Sequence, residues 1–265
     1  MSEDFSYIVK NGCANITFTR PEKANAFHPR VIAPLRKAFL DIGNRDDVRV
    51  VLIRGEGKHF MAGGDLESIS DYGAMSKAEV AEFGENPIHD YNFMIQTMQR
   101  LDQPVIASVQ GGAAGAAMGF IGACDIVIAA DTAFIWAAHI LHGGSNDGLT
   151  TYFLPRHIGL RRSLQMALLG DRMSACEAKE IGLVNFVVPE SDLQTETQKL
   201  VARLAKGPTK GYGLIKKLMY ASLQNSMMEQ GTLEAQSYGR AMQTEDVPEG
   251  LKAFFEKRKP DFKGR

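Results

Sequence analysis

The sequence predicts an α/β protein whose core is a set of parallel strands, and three observations support that class. Val48–Ile53, Val105–Val109 and Ile126–Ala130 are short runs of β-branched and other apolar residues. Apart from Arg49 and Ser108 they are apolar rather than alternating, as strands covered on both faces are. The stretches between them carry apolar residues at helical spacing, and the order strand, helix, strand recurs along the chain, which favours parallel strands with crossover helices.

In chain order, Phe5–Lys10 and Ala14–Arg20 flank Asn11-Gly12, a strong signal for a two-residue hairpin. Arg20-Pro21-Glu22-Lys23-Ala24-Asn25 reads as a loop. From Pro29 to Gly43, Val31, Ile32, Leu35, Phe39 and Ile42 share one helical face. After the Val48–Ile53 strand the chain passes through Lys58-His59-Phe60-Met61-Ala62-Gly63-Gly64-Asp65-Leu66 into a helix start, with Asp65 placed to cap it. Met75–Arg100 reads as one helix with a possible break at Asn86-Pro87, and its polar part, Asp71 to Asn86, reads as a mobile flap.

Val105 to Ala130, VIASVQGGAAGAAMGFIGACDIVIAA, is the stretch the chain is organised around. It reads as buried strand, turn, small-residue helix and buried strand. A helix opening in Gly115, Ala116 and Ala117 leaves its first amides without intrahelical partners, and little side-chain bulk stands in front of them. Such a place suits an oxygen carrying negative charge, although small residues also serve close helix packing. Beyond it, Arg161–Leu169, Ser174–Ile181 and Asp192–Lys206 are expected helices, and Gly182–Val188 an edge strand. Gly207-Pro208 marks a boundary between residues 1–206, a core, and residues 207–265, where Thr209–Leu223 and Thr232–Thr244 are amphipathic helices that need another surface to pack on.

Composition excludes several classes. The 265 residues are 45% hydrophobic and 23% charged with a formal net charge of −1, so neither a basic field for nucleic acid nor a disordered composition is present. The N-terminus is too polar for a signal peptide, and no apolar run approaches the ~20 residues a membrane helix needs. Cys13, Cys124 and Cys176 are widely spaced and read as reduced core thiols, which makes the expected location cytoplasmic. No His, Cys or Asp cluster has metal-ligand spacing, so no metal is expected.

KHFMAGGDL and SVQGGAAGAAMGFIGACDIVIAAD stand in the order and separation of the two signature segments of the enoyl-CoA hydratase/isomerase (crotonase) superfamily, which the chain resembles. The likeness continues through RPEKANAF, LLGDRMSACEAKEIGLVNFVVP and EGLKAFFEKRKPDF, and so covers essentially the whole chain. It implies a crotonase (ClpP-like) spiral of ββα units with a C-terminal helical trimerisation region, giving a homotrimer or a hexamer of two trimers. It also implies an acyl-CoA substrate, with coenzyme A entering only as part of that substrate and no other cofactor. One backbone amide from each glycine-rich segment would form an oxyanion hole around the thioester carbonyl, here Gly64 and Ala116. Lys23, Ala24, Ala62 and Leu66 would hold the adenine end, and Lys257 would meet the CoA, commonly across a subunit contact.

The two glutamates of the hydratases fall on Gly119 and Ala138, neither of which transfers a proton. The loop WAAHILHGGSNDGLTT instead offers Asp147, which either caps the helix through Thr150–His157 or acts as acid/base. Several non-hydratase relatives carry an aspartate there, and the nearest resemblance is to the phenylacetate-pathway ring-opening isomerase type. His139 and His142 share the loop and are either hydrogen-bonding structural residues or direct participants. Trp136, the single tryptophan, is either core or acyl-pocket lining. His59, beside Lys58, is a candidate contact for CoA phosphates. The expected function is an enoyl-CoA isomerase using Asp147. The alternatives are a hydratase, a hydrolase or dehalogenase with Asp147 as nucleophile, and a non-catalytic protein binding CoA or RNA.

Overall fold

The computed structural model describes residues 4–70, 73 and 75–265. Asn11 and Gly12 take φ of 52° and 75° and close an antiparallel hairpin between β1 (Phe5–Lys10) and β2 (Cys13–Phe18). Both central residues of that tight turn need positive φ, which is why Asn-Gly suits it. The chain then crosses through α1 (Ile32–Gly43) to β3 (Val50–Gly55), which lies parallel to β2. Leu35, Phe39 and Ile42 of α1 are fully buried, and burying each such side chain contributes about 1.5–3 kcal/mol. The strand starts two residues later than expected; Arg49 N donates to the Gly12 carbonyl at 2.7 Å, and its guanidinium reaches the carbonyls of Gly207 and Lys263.

α2 (Lys77–Gln99) opens on a capping box made by Ser76 and Glu79 and runs unbroken through Pro87, correcting the expected break. Asp71, Tyr72 and Ala74 of the expected flap lie outside the described residues. The remainder of that flap from Lys77 onward is the first half of α2.

Downstream the same unit recurs. β4 (Val105–Val109) leads to β5 (Gly112–Ala114) and α3 (Ala117–Ala123), and β6 (Ile126–Ala130) leads to β7 (Phe134–Trp136) and α4 (Thr150–Ile158). The long strands sit in one sheet, while Met61 bridges Ala113 and Ala113 pairs with Ile135 in a second layer, all parallel. One strand in each layer followed by a helix, displaced by one strand each time, is a spiral of ββα units. α5 (Leu160–Leu169), β8 (Arg172–Ser174), α6 (Ala175–Glu180), β9 (Phe186–Val188) and α7 (Leu193–Ala205) complete it. The main sheet has the order β1-β2-β3-β4-β6-β9 and the second β5-β7-β8.

Beyond Gly207 lie α8 (Thr209–Ser222), α9 (Met227–Ala241) and α10 (Asp246–Phe255). α9 begins five residues before the expected Thr232, because Ser226 and Glu229 form a capping box, and α10 adds a third helix where two were expected. α8 is tied to the core by a buried ion pair, Lys216 to Asp125 at 2.7 Å, and by Gly213, where a Cβ would come 2.5 Å from the Asp102 carboxylate. The last residues fold back, with the Asp246 carboxylate accepting from the amides of Lys263 and Gly264 at 2.6 and 2.8 Å. Cys13 and Cys124 are buried as expected, but Cys176 is exposed on α6 and is no core thiol. Among the described residues no helix is long and apolar enough to cross a membrane.

Candidate functional site

Two glycine-rich turns meet backbone to backbone. Gly63 and Gly115 take φ of 104° and 51°, which glycine adopts without steric cost. A Cβ on Gly115 would stand 3.2 Å from Gly63 Cα and 3.9 Å from Gly64 N, so no side chain fits between the two segments. The Gly63 carbonyl accepts from Phe27 N at 2.7 Å, and Asp65 N donates to the Phe27 carbonyl at 3.0 Å, so Gly64, between them, faces away from Phe27. Gly115 N donates to the Trp136 carbonyl at 3.0 Å, which leaves Ala116 at the mouth of α3. Among the described residues neither Gly64 N nor Ala116 N donates to a backbone carbonyl, and nothing lies within 4 Å of the position a Cβ on Gly64 would take.

Gly64, Ala116 and Asp147 line one cavity of about 290 Å³. Its remaining walls are largely apolar: Phe27, Pro29 and Ile32 from the entry to α1, and Val80, Phe83, Gly84, Pro87 and Ile88 from α2. The α2 residues recur every three or four positions, and the same stripe continues into the core as Tyr91, Met94, Ile95 and Met98. Beneath the cavity an aromatic cluster fixes the frame, with Phe18 edge-on to Phe120 at 5.4 Å and Phe27 tilted on Tyr91 at 5.0 Å.

Tyr91 is buried, and its hydroxyl donates to the Ala116 carbonyl. Burial, with the Asp147 charge added, holds the phenol well above its ordinary pKa, so it stays a neutral donor. A Cβ on Gly119 would come 2.5 Å from the Gly148 carbonyl and 2.9 Å from the Tyr91 hydroxyl. The space a longer side chain at Gly119 needs is therefore already filled, while Ala138 is half-buried and lies outside the cavity lining.

Asp147 does not cap α4 with its side chain; the helix starts after Leu149, whose φ is 61°. The carboxylate turns instead to His139, whose Nε2 is 3.2 Å from Oδ1. His139 is buried outside the cavity lining, whereas His142 is exposed beyond it. Asp65 was expected as a side-chain helix cap and makes no such bond; Arg20 Nη1 holds its Oδ2 at 3.0 Å, a stronger partner than a helix amide. Trp136 is half-buried, with Nε1 donating to the Gly170 carbonyl at 2.6 Å and the Arg172 guanidinium 4.4 Å above its ring, and it does not line the cavity. His59 accepts from Gly112 N at 2.9 Å, a structural role.

Lys23, Ala24, Ala62 and Leu66 come together at one rim: Ala62 N donates to the Ala24 carbonyl at 2.9 Å, and Lys23 reaches Glu67, next to Leu66, at 2.7 Å. Lys257 is exposed after α10 and is not brought to this chain's own cavity. Sequence reasoning missed Tyr91, Phe83, Pro87 and Ile88 as cavity walls. The three-to-four spacing along Met75–Arg100 was the available signal, but it reads equally as core packing.

The family model described as Enoyl-CoA hydratase/isomerase matches residues 9–265. The chain is 34% identical over 259 residues to a Rhodobacter capsulatus protein named "Probable enoyl-CoA hydratase", covering 98% of this chain and 97% of that one. It is also 34% identical over 257 residues to the 1,2-epoxyphenylacetyl-CoA isomerase of Escherichia coli, covering 97% of each. Among solved structures, an enoyl-CoA hydratase from Bacillus anthracis superposes with a TM-score of 0.90 at 30% identity, covering 99% of this chain and 100% of that one. With a crotonase fold and a family match over nearly its whole length, the chain belongs to the enoyl-CoA hydratase/isomerase family of acyl-CoA-processing enzymes.

Proposed function

We propose that the protein is an enoyl-CoA isomerase in which the amides of Gly64 and Ala116 hold the thioester oxygen and Asp147 moves a proton along the acyl chain. The observation that carries this reading is the single apolar cavity lined by all three residues. Removing a proton next to the thioester, or two carbons further along an unsaturated chain, puts negative charge on the carbonyl oxygen. Two aimed amides stabilise that enolate, and losing one such donor typically costs on the order of 10²–10³ in rate. Protonated Asp147 then returns the proton at the other end of the delocalised system, which shifts the double bond or accompanies ring rearrangement with no net gain of atoms. Asp65 also lines the cavity but is tied to Arg20, which leaves Asp147 as the base. Outside coenzyme A, carried by the substrate, the reaction needs no cofactor.

Hydration is the second reading, favoured by the similarity to named hydratases. It needs a water held between two carboxylates, and Gly119 and Ala138 provide neither. Mass spectrometry of one turnover of a 3-enoyl-CoA ester in ¹⁸O water separates the readings. An isomerase leaves product mass unchanged apart from hydrogen exchange, a hydratase adds labelled water, and a nucleophilic Asp147 takes label into its own carboxylate. Asp147→Asn should lower turnover on the order of 10²–10⁴. Wild-type turnover in that variant would remove the proposed base.

The rim of Lys23, Ala24, Ala62 and Leu66 is the proposed seat of the adenine end. Lys257 would serve a neighbouring subunit's site in a homotrimer or a dimer of trimers. The apolar side chains exposed on the C-terminal helices support such an assembly, among them Met227 at 91% and Phe255 at 78%.

A further inference from the structure

A carboxylate on a loop needs a partner to keep one oxygen aimed at a substrate. Asp147 belongs to the loop that begins with the 3₁₀ turn Ala138–His142, and Gly144 N closes that loop on the His139 carbonyl at 3.0 Å. His139 is 6% exposed, and both ring nitrogens are engaged. Asn146 Nδ2 lies 3.0 Å from Nδ1; with the amide in this orientation it donates, which assigns Nδ1 as the accepting nitrogen and the ring proton to Nε2. Nε2 then donates to Asp147 Oδ1 at 3.2 Å. A Cβ on Gly115 would be 3.9 Å from the same Nε2 and 3.9 Å from Gly64 N, so the imidazole sits one glycine's width from the amide that faces the cavity.

We propose that His139 is the positioning residue for Asp147: Asn146 fixes its tautomer, and its Nε2–H holds Oδ1 so that Oδ2 is the oxygen that meets the acyl chain. This inference rests on the reading of Asp147 as the acid/base. His139 is outside the cavity lining, so it acts through the carboxylate and not on the substrate. Without it the carboxylate swings about its χ angles and the reacting proton lies out of line.

The test is steady-state turnover of 3-enoyl-CoA esters by the full-length protein as His139→Ala, His139→Gln, Asp147→Asn and the Ala/Asn double variant, with thermal melting to confirm folding. His139→Ala should lower kcat about 100-fold, the scale of a small misplacement of a reacting group, and leave KM within about twofold. Glutamine retains an N–H at similar reach and should recover most of the loss, which also covers the case in which the alanine variant does not fold. In the Asp147→Asn background His139→Ala should change turnover less than about twofold, because residues that act through one another are not additive. Three results overturn the proposal: unchanged kcat in His139→Ala while Asp147→Asn is inactive, a rise in KM at constant kcat, or a full His139→Ala effect in the absence of the carboxylate. Wild-type turnover in Asp147→Asn alone overturns the underlying acid/base reading, and the positioning role with it.

Discussion

At the scale of single residues, the site depends on two glycines that touch. Gly63 and Gly115 have positive φ, and each stands where a methyl group would press on the other segment's backbone. Gly115→Ala should therefore cost about 1–3 kcal/mol of stability and separate the two amides. Calorimetry reads the first effect, and a fall in kcat exceeding any change in KM reads the second. These glycines were legible in the sequence only as one of two readings, because a run of small residues after a buried strand also serves close helix packing. Asp147 was legible only as one of two roles, and the structure removes the helix cap as its role. Tyr91 was not legible at all, since a tyrosine at helical spacing looks like core until the fold sets its hydroxyl against the Ala116 carbonyl. Arg20, which takes Asp65 away from its expected cap, lies 45 positions earlier, beyond any local pattern.

At the scale of elements, long strands and helices follow the apolar periodicity closely, whereas β5, β7 and β8 escaped notice. Each is three residues long, too short for alternation to register, and each exists because a neighbouring unit offers it a partner. The break expected at Pro87 is absent, and Pro87 and its neighbours on the same stripe wall the cavity. The attachment of α8 rests on a different force. Asp125 accepts from Val105 N at 2.8 Å and from Lys216, and burial nevertheless pushes its carboxyl up from the usual range. Asp125→Ala leaves the largely buried Lys216 ammonium with only the Gln103 carbonyl as partner and should destabilise by about 2–4 kcal/mol. Replacing both with apolar residues of similar volume should recover much of the loss. Denaturant unfolding of the single and paired variants checks both.

At the scale of the whole molecule, the spiral carries its reactive groups on loops from successive turns, so no one unit holds the site. Residues 207–265 are bound to this body by buried contacts yet expose Met228 at 83%, Phe254 at 77% and Phe255 at 78%. If they are the assembly surface, Phe254→Glu with Phe255→Glu should lower the mass seen by sedimentation. If Lys257 serves a neighbour's site, the same variant should raise KM for the CoA ester about tenfold, roughly 1.4 kcal/mol. The Arg49 guanidinium meanwhile joins the start of β3 to the carbonyl of Lys263, 214 positions later. A contact of such separation closes late, because the entropy of closing so long a loop is met before the contact rewards it. The bond therefore forms only as residues 207–265 dock beside β3, and until then the Arg49 guanidinium keeps its water.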